Sequence, residues 1–521
     1  MKKILMFFII CGIIVGFITG FKPNETETEN NYTNNIESPI ENNQKTELNL
    51  SISEIDTLNP LTTQNNHIAN ILKLIYEPLI SYDNENQIEA SLATEWVKKD
   101  EITWILKLRE NVFWHGGEKF TSKDVQYTIN LLINQEITSK YFANVKNIKA
   151  VDVVDDTTIV ITLNIPDSHI ISKLTFPIIP QYYFKNGDIT NKEKANRPIG
   201  TGAYKYLDAS EKQITLVANE EWWKEEIKLD KINLLKYATY SEAIKGFKSS
   251  EIDMIITSMH DWKEKFGFIG INSYNYESTE YEAIIPNVEN KILNEASVRR
   301  AILQAINRDN IVSTVYDENA IVQDIPIQSS SKYSSAKYEY DMEKAKQILI
   351  NAGWTQTNQG WKKGNDKLEF TLTIPKNDED KKLVAEKIKQ DLNEISINIK
   401  VKEQNFNEFE KNIKTGNFQL ALVSLDIKNE YQLQEIVQTG NIFNFARYTN
   451  GEMDKVIEKL QNTEGIAYDE AMEEFKQIYK NEMPYIGLYY KTNTILTNKS
   501  VKGEYKSTSY NPYRNIINFY K

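Results

Sequence analysis

The stretch Leu74–Leu131, LIYEPLISYDNENQIEASLATEWVKKDEITWILKLRENVFWHGGEKFTSKDVQYTINL, constrains the fold more than any other part of the chain. It holds, in order, a helix end, a turn, two strands and a capped helix. YEPL closes an apolar helical run, and SYDNENQ supplies turn residues, because Asn and Asp tolerate left-handed backbone and bond to it locally. TWILKLRENVFWH alternates apolar and polar residues and is rich in β-branched and aromatic side chains, the pattern of a half-buried strand. In FTSKDVQYTINLL, Thr121 is an N-cap, Asp124 lies in the first turn, and Val125, Ile129 and Leu132 share one face. Trp104, Leu106 and Phe113 are expected to pack as scaffold. A similar mixture returns later: KLEFTLTIPK is a strand, KKLVAEKIKQDLNEIS a helix and INIKVKEQNF a strand. That β-α-β order signals an α/β lobe.

At 521 residues the chain is too long for one core, and roughly 100–200 residues per domain predicts two to four domains. Hydrophobic residues at 40% fill such cores. The net charge of −12 argues against a nucleic-acid partner, whose phosphates want a basic face.

The N-terminus points to export. A basic MKK precedes the uncharged run from Ile4 to Phe21, which at about 1.5 Å per residue would span roughly 27 Å, close to a bilayer core of about 30 Å. Residues 1–21 are therefore a cleaved signal peptide or an uncleaved membrane anchor. Cys11, the only cysteine, sits inside this run and is an ordinary residue of it, so no disulfide forms within the chain. Residues 22–45, rich in Asn, Glu and Thr without apolar periodicity, are a disordered linker that holds the folded part off the membrane.

From there the chain gives a strand at Glu47–Ser53 and a helix from about Asn65. Two strands flank the Asp155-Asp156 turn. An amphipathic helix starts near Ala296 with Val298, Ile302 and Ala305 inward, and Arg299, Arg300 and Arg308 take solvated or structural-pair roles. A further helix is capped by Asp341 and ended by Gly353. Nothing repeats at a fixed period.

Catalytic and metal chemistry find no support. The four histidines, at positions 67, 115, 169 and 260, include no pair at metal-ligand spacing, so no metal or cofactor is expected. No nucleophile elbow, zinc-protease or phosphate-loop motif occurs, and an enzyme is not indicated.

The order YEPL…LATEW…LKLRENVFWHGGEKFTSKDV resembles the signature of the family-5 solute-binding proteins of peptide-type ABC importers, the oligopeptide-binding class. RPIGTGAYKY (Arg197–Tyr206) resembles the family's loop of passage between lobes, with Gly200 and Gly202 placed where a Cβ would be forbidden. NEEWW resembles its aromatic turn, and SEAIKGFKSSEID a helix ending in a turn where Ser250 stands in a glycine's place and Asp253 is kept.

The resemblance implies an α/β, periplasmic-binding-protein-like fold: three-lobed, with mixed sheets and a hinged interlobe cleft. Lobe I would comprise 46–76 with 200–280 and 488–521, lobe II 77–199 and lobe III 281–487. It implies capture of a peptide ligand by hinge closure and delivery to ABC permease subunits in the membrane, by a monomer tethered outside the cytoplasm or secreted. The alternative is a surface receptor of the same fold that senses a peptide or another small solute, such as a nickel complex or haem, without bulk transport. Ligand-binding candidates are Tyr281, Asn287, Asp426, Arg447 and Tyr489. Where relatives carry an Asp that meets the ligand's amino group, FQLALVSLDIKNE places Lys428, with Asp426 or Glu430 as substitutes after a small shift. A lysine there would repel an ammonium.

Overall fold

The structure is a computed structural model, and it describes residues 46–521 apart from 186–188, 190, 268 and 335–336. The expected signal or anchor, Cys11 and the linker lie outside the described residues. Among these residues no helix is long and apolar enough to cross a membrane.

An eleven-stranded mixed sheet runs through the described residues. Its middle is an antiparallel pair of long strands, Ile271–Pro286 and Ile486–Asn498. On one side the second of these pairs with Met254–Thr257, which joins Glu47–Ile52 and Lys231–Lys236 in parallel. On the other side the first pairs with Leu420–Asp426, which leads to Glu369–Pro375 and Asn398–Gln404, also parallel. Helix Glu379–Glu394 makes the predicted β-α-β crossover between the last two strands.

The two long strands do not pair evenly. Glu277 is opposite Thr492 and Tyr281 opposite Tyr490, so the first strand carries extra residues there, and a second slip follows between Glu282 and Ala283. Such bulges bend a strand and raise its local twist. The hydrophobic cores change over at the same place: Tyr276 and Ile495 belong to a core shared with Leu48, Leu106 and Leu216, whereas Tyr281 and Tyr490 belong to one shared with Val423 and Phe475. The segments expected as lobes I and II thus bury one common core.

The second sheet, with four antiparallel strands, is built from the stretch that dominates the sequence: Ala93–Asp100, Thr103–Leu108, Thr158–Leu163 and Ile148–Asp155. Trp104, Leu106 and Leu108 alternate inward, as the pleat requires. Phe113, expected to pack, is instead 44% exposed, because the chain has left the sheet after Leu108. Thr121 begins helix Ser122–Ile133 with a capping box: Asp124 accepts the Thr121 N–H at 2.9 Å, and also the Gln181 N–H at 2.8 Å.

Packing explains the family-like motifs. The helix before YEPL ends at Leu72, earlier than the apolar run predicts, because the carbonyls of Leu74 and Ile75 accept the amides of Tyr204 and Gly202 at 2.9 and 2.8 Å. The approach is so close that a Cβ on Gly200 would lie 1.8 Å from the Ile75 carbonyl oxygen. Glu77 is buried and accepts three donors: Thr201 Oγ1 at 2.9 Å, Trp222 Nε1 at 3.1 Å and Trp223 Nε1 at 2.9 Å. YEPL, GTGAY and NEEWW are thus one structural joint. Ser250 adopts φ +61°, in the left-handed region natural to glycine, and Asp253 accepts the Asn49 N–H at 2.8 Å. Arg299 and Arg308 are structural: the first donates to the carbonyls of Leu293, Asn294, Glu482 and Met483, the second pairs with buried Asp324.

Candidate functional site

A cavity of about 420 Å³ sits on the long strand pair just before its register slips. Tyr276 and Asn493, which face each other across that pair, form part of its lining. Ser51 and Ser53 at the end of the first strand, Thr257 and Ser258 after Met254–Thr257, and Tyr240 add hydroxyls. Helix Asn66–Leu72 contributes Asn66, His67 and Asn70. Its start is fixed locally: Asn65 accepts the His67 and Ile68 amides at 3.0 and 3.3 Å, and Asp56 organises the preceding loop by accepting from Thr63 Oγ1 and the Gln64 N–H, each at 2.7 Å. Burial opposes the charge on Asp56, but these bonds outweigh it and hold its carboxyl below the ordinary value. His67 Nε2 lies 3.3 Å from Tyr513 Oη, and burial lowers its pKa, which favours a neutral ring. The described lining holds hydroxyls, amides and aromatic rings, with no Asp, Glu, Lys or Arg among them.

Two lysines hold the asparagines of that helix, and Lys73 itself lines a separate, larger cavity with Glu77, Glu89, Glu225 and Glu504. Lys73, one turn beyond Asn70, puts Nζ 3.1 Å from Asn70 Oδ1, also donates to the Tyr510 carbonyl, and lies 4.5 Å from the centre of the Tyr510 ring. Lys140 Nζ is 3.2 Å from Asn66 Oδ1. Burial, with the charges of Lys140 and Lys428, brings Lys73 down to about 7.

Away from this cavity, residues expected in lobes II and III touch one another. Asn86 Nδ2 donates to Gln328 Oε1 at 3.0 Å and Ser330 Oγ at 2.7 Å. The His169 ring lies 4.3 Å from the centre of Tyr431 and 5.0 Å from that of Tyr468, and bonds to the Leu460 carbonyl. At the slip itself, Glu277 Oε2 accepts the N–H and hydroxyl of Ser329, both at 2.8 Å, while Oε1 is buried without a partner among the described residues. Burial raises Glu277 to about 7, and it also raises Glu430.

None of the five residues expected at the ligand lines this cavity, although strand pairing sets Tyr281 one register step from Asp426 and from Tyr489. Tyr281 and Tyr489 are fully buried; the first donates to the Gln323 carbonyl at 3.1 Å and the second to Tyr316 Oη at 3.1 Å. Asn287 is buried too and ties the Gly416 and Phe418 carbonyls at 2.8 and 3.1 Å. Arg447, at φ +59°, donates to the Lys414 carbonyl. Asp426 is exposed and lies 3.4 Å from Lys428. The cavity residues Tyr276 and Asn493 left no sequence signal, since their pairing joins positions more than 200 apart. Lys73 left one: it is the single charge in NILKLIY.

This architecture has known counterparts. The oligopeptide-binding protein AppA of Bacillus subtilis is 23% identical over 492 residues, 90% of each chain. The fold is shared with MppA, a periplasmic murein tripeptide binding protein in its unliganded open form (TM-score 0.80, 20% identity, 92% of this chain and 97% of that one). It is also shared with a nickel ABC transporter protein from Bacillus halodurans (TM-score 0.79, 21% identity, 92% of this chain and 100% of that one). Residues 87–430 match the family model described as bacterial extracellular solute-binding proteins, family 5, middle region. The chain belongs to the bacterial extracellular solute-binding proteins of family 5.

Proposed function

We propose that the chain captures a peptide outside the cytoplasm, in a cleft between lobes, and delivers it to the permease of an ABC importer. The observation that carries this is a cavity lined by hydroxyls, amides and aromatic rings on the two long paired strands, just before their register slips. An extended peptide offers backbone donors and acceptors that such a lining satisfies without demanding a sequence. AppA, described as oligopeptide-binding, and MppA, described as binding a murein tripeptide, support the same substrate class. Lobe I then comprises 46–76, 200–280 and 488–521, lobe II 77–199 and lobe III 281–487, and the bulged strands near Glu277–Ala283 are the hinge. A ligand that touches both sides only when they close shifts the population toward the closed form. The chain works as a monomer, held near the membrane by its N-terminal segment or released from it.

A thermal-shift screen against peptides of two to ten residues tests the substrate class, and small-angle scattering with the best peptide tests closure. A stabilised protein whose radius of gyration contracts is expected. If no peptide raises the melting temperature, the peptide assignment fails.

A further inference from the structure

We propose that Gln328 is a positioning residue for capture: it latches the two bodies of the protein together across the hinge, with Asn86 as its counterpart. This rests on the hinge closure proposed above, and not on which ligand the cleft takes.

Gln328 is 6% exposed, and both ends of its carboxamide are engaged. Nε2 donates to the Ser278 carbonyl at 2.9 Å and to Ser509 Oγ at 3.1 Å, while Oε1 accepts from Asn86 Nδ2 at 3.0 Å. Chemistry fixes this orientation. The Ser278 carbonyl can only accept, so the amide nitrogen must face it, which leaves the oxygen for Asn86. Asn86 Nδ2 also donates to Ser330 Oγ at 2.7 Å.

These partners belong to different bodies. Gln328 follows Ile325 and Ile327, which pack in the core of Tyr281, Val423 and Phe475. Asn86 sits at the tip of the hairpin formed by Ile80–Tyr82 and Ile88–Ala90, whose Ile80 packs in the other core with Tyr513 and Ile516. Ser509 lies in the C-terminal segment, which is tied to the same hairpin: Arg514 donates to the Tyr82 carbonyl and pairs with Glu89, each at 2.7 Å. Ser278 lies inside the first register slip of the long strands, where Ser329 also holds Glu277. One buried side chain thus joins the hinge to both bodies.

The hairpin tip is preorganised for the contact. Asp83 accepts the Glu85 and Gln87 amides, both at 2.8 Å, and Asn86 takes φ +56°, a left-handed conformation that asparagine tolerates. Hinge closure needs bonds between bodies that opening gives up, and Asn86–Gln328 and Asn86–Ser330 are of that kind. Each neutral bond contributes a modest net amount, so the latch biases the closed form without locking it.

Small-angle scattering, hydrogen exchange and urea unfolding of the full chain, with no ligand added, test this on Asn86→Gly, which keeps the left-handed turn, and on Gln328→Met. Asn86→Gly should shift the balance toward the open form about fivefold. This reads as a larger radius of gyration and about fivefold faster exchange of the Ser329 and Ser331 amides, which bond to Glu277 and to the Gln328 carbonyl. Helix Ser122–Ile133 and the urea midpoint should change little. The double variant should open less than additively, because the two changes remove a shared contact. If Asn86→Gly lowers the urea midpoint while radius and exchange stay as in the wild type, Asn86 is only structural and the latch is overturned. Strictly additive opening overturns it as well. No ligand enters these measurements, so a failed peptide screen and a failed latch are told apart.

Discussion

Glu282 is the sharpest point at which to test what holds the strand crossing in place. Its side chain has no exposed surface, and both oxygens lie 2.8 Å from Lys381 Nζ. Lys491 from the neighbouring strand stands 3.3 Å away, and Ser424 donates a further bond. With an effective dielectric of about 20, a 2.8 Å ion contact gives about 6 kcal/mol of attraction, offset by several kcal/mol of desolvation per ion. The pair's net contribution is thus small, but breaking it strands the 8% exposed Lys381 side chain. Glu282→Gln should cost about 3–5 kcal/mol in urea unfolding, and Lys381→Met a similar amount. The double change should cost less than the sum by about 1–3 kcal/mol, because the second substitution removes the charge that the first one orphaned. Burial pushes the Glu282 carboxyl up, but Lys381 and Lys491 outweigh it and hold it below its ordinary 4.5. A depressed carboxylate stabilises fully above that value and loses its contribution as pH falls through the folded value. Wild type should therefore weaken on acidification below about 4.5, and Glu282→Gln should weaken less steeply. A single substitution costing under about 1 kcal/mol, or strictly additive costs, would refute the idea that these ions act as one unit.

Other consequences are simpler to check. Ser250→Gly relieves a left-handed backbone at φ +61° and should stabilise by about 1 kcal/mol, read as a higher urea midpoint at unchanged slope. Gly200→Ala forces a Cβ to within 1.8 Å of the Ile75 carbonyl and should destabilise by about 3 kcal/mol, whereas Gly451→Ala, where no atom lies within 4 Å, should cost little. His169, lowered by burial and flanked by Asp167 and Lys173, sits neutral against Tyr431, Tyr468 and the Leu460 carbonyl. Its depressed value makes this contact complete above about 6.5 and progressively weaker as pH falls below that. Protection of the Ser168 amide, which donates to the Gln461 carbonyl at 3.4 Å, should fall relative to its intrinsic exchange rate between pH 7.5 and 5, and His169→Gln should remove that dependence.

Local pattern carried most of the architecture. Period-two alternation placed Thr103–Leu108, the capping residues Thr121 and Asp341 placed their helices, and the β-α-β order around Glu379–Glu394 was legible because each of these signals lies within one or two turns of chain. The motifs resembling the family were visible too, but not their cause. That YEPL, GTGAY and NEEWW meet at Glu77 depends on Thr201, Trp222 and Trp223, residues 124 to 146 positions away.

The candidate site was much less legible. Tyr281 and Tyr489 sit in segments that approach the cleft, yet which side of a strand faces inward depends on register, and here register slips twice within a few residues. The slip separates Tyr276, which packs in one core and also lines the cavity, from Tyr281, which packs in the other core. The sequence by itself determined the kind of chain this is, through periodicities and caps that act over a few residues. Only the tertiary structure decided which side chains line the cavity and which lysines hold its asparagines, because those positions are set by strand pairing and packing between segments hundreds of residues apart.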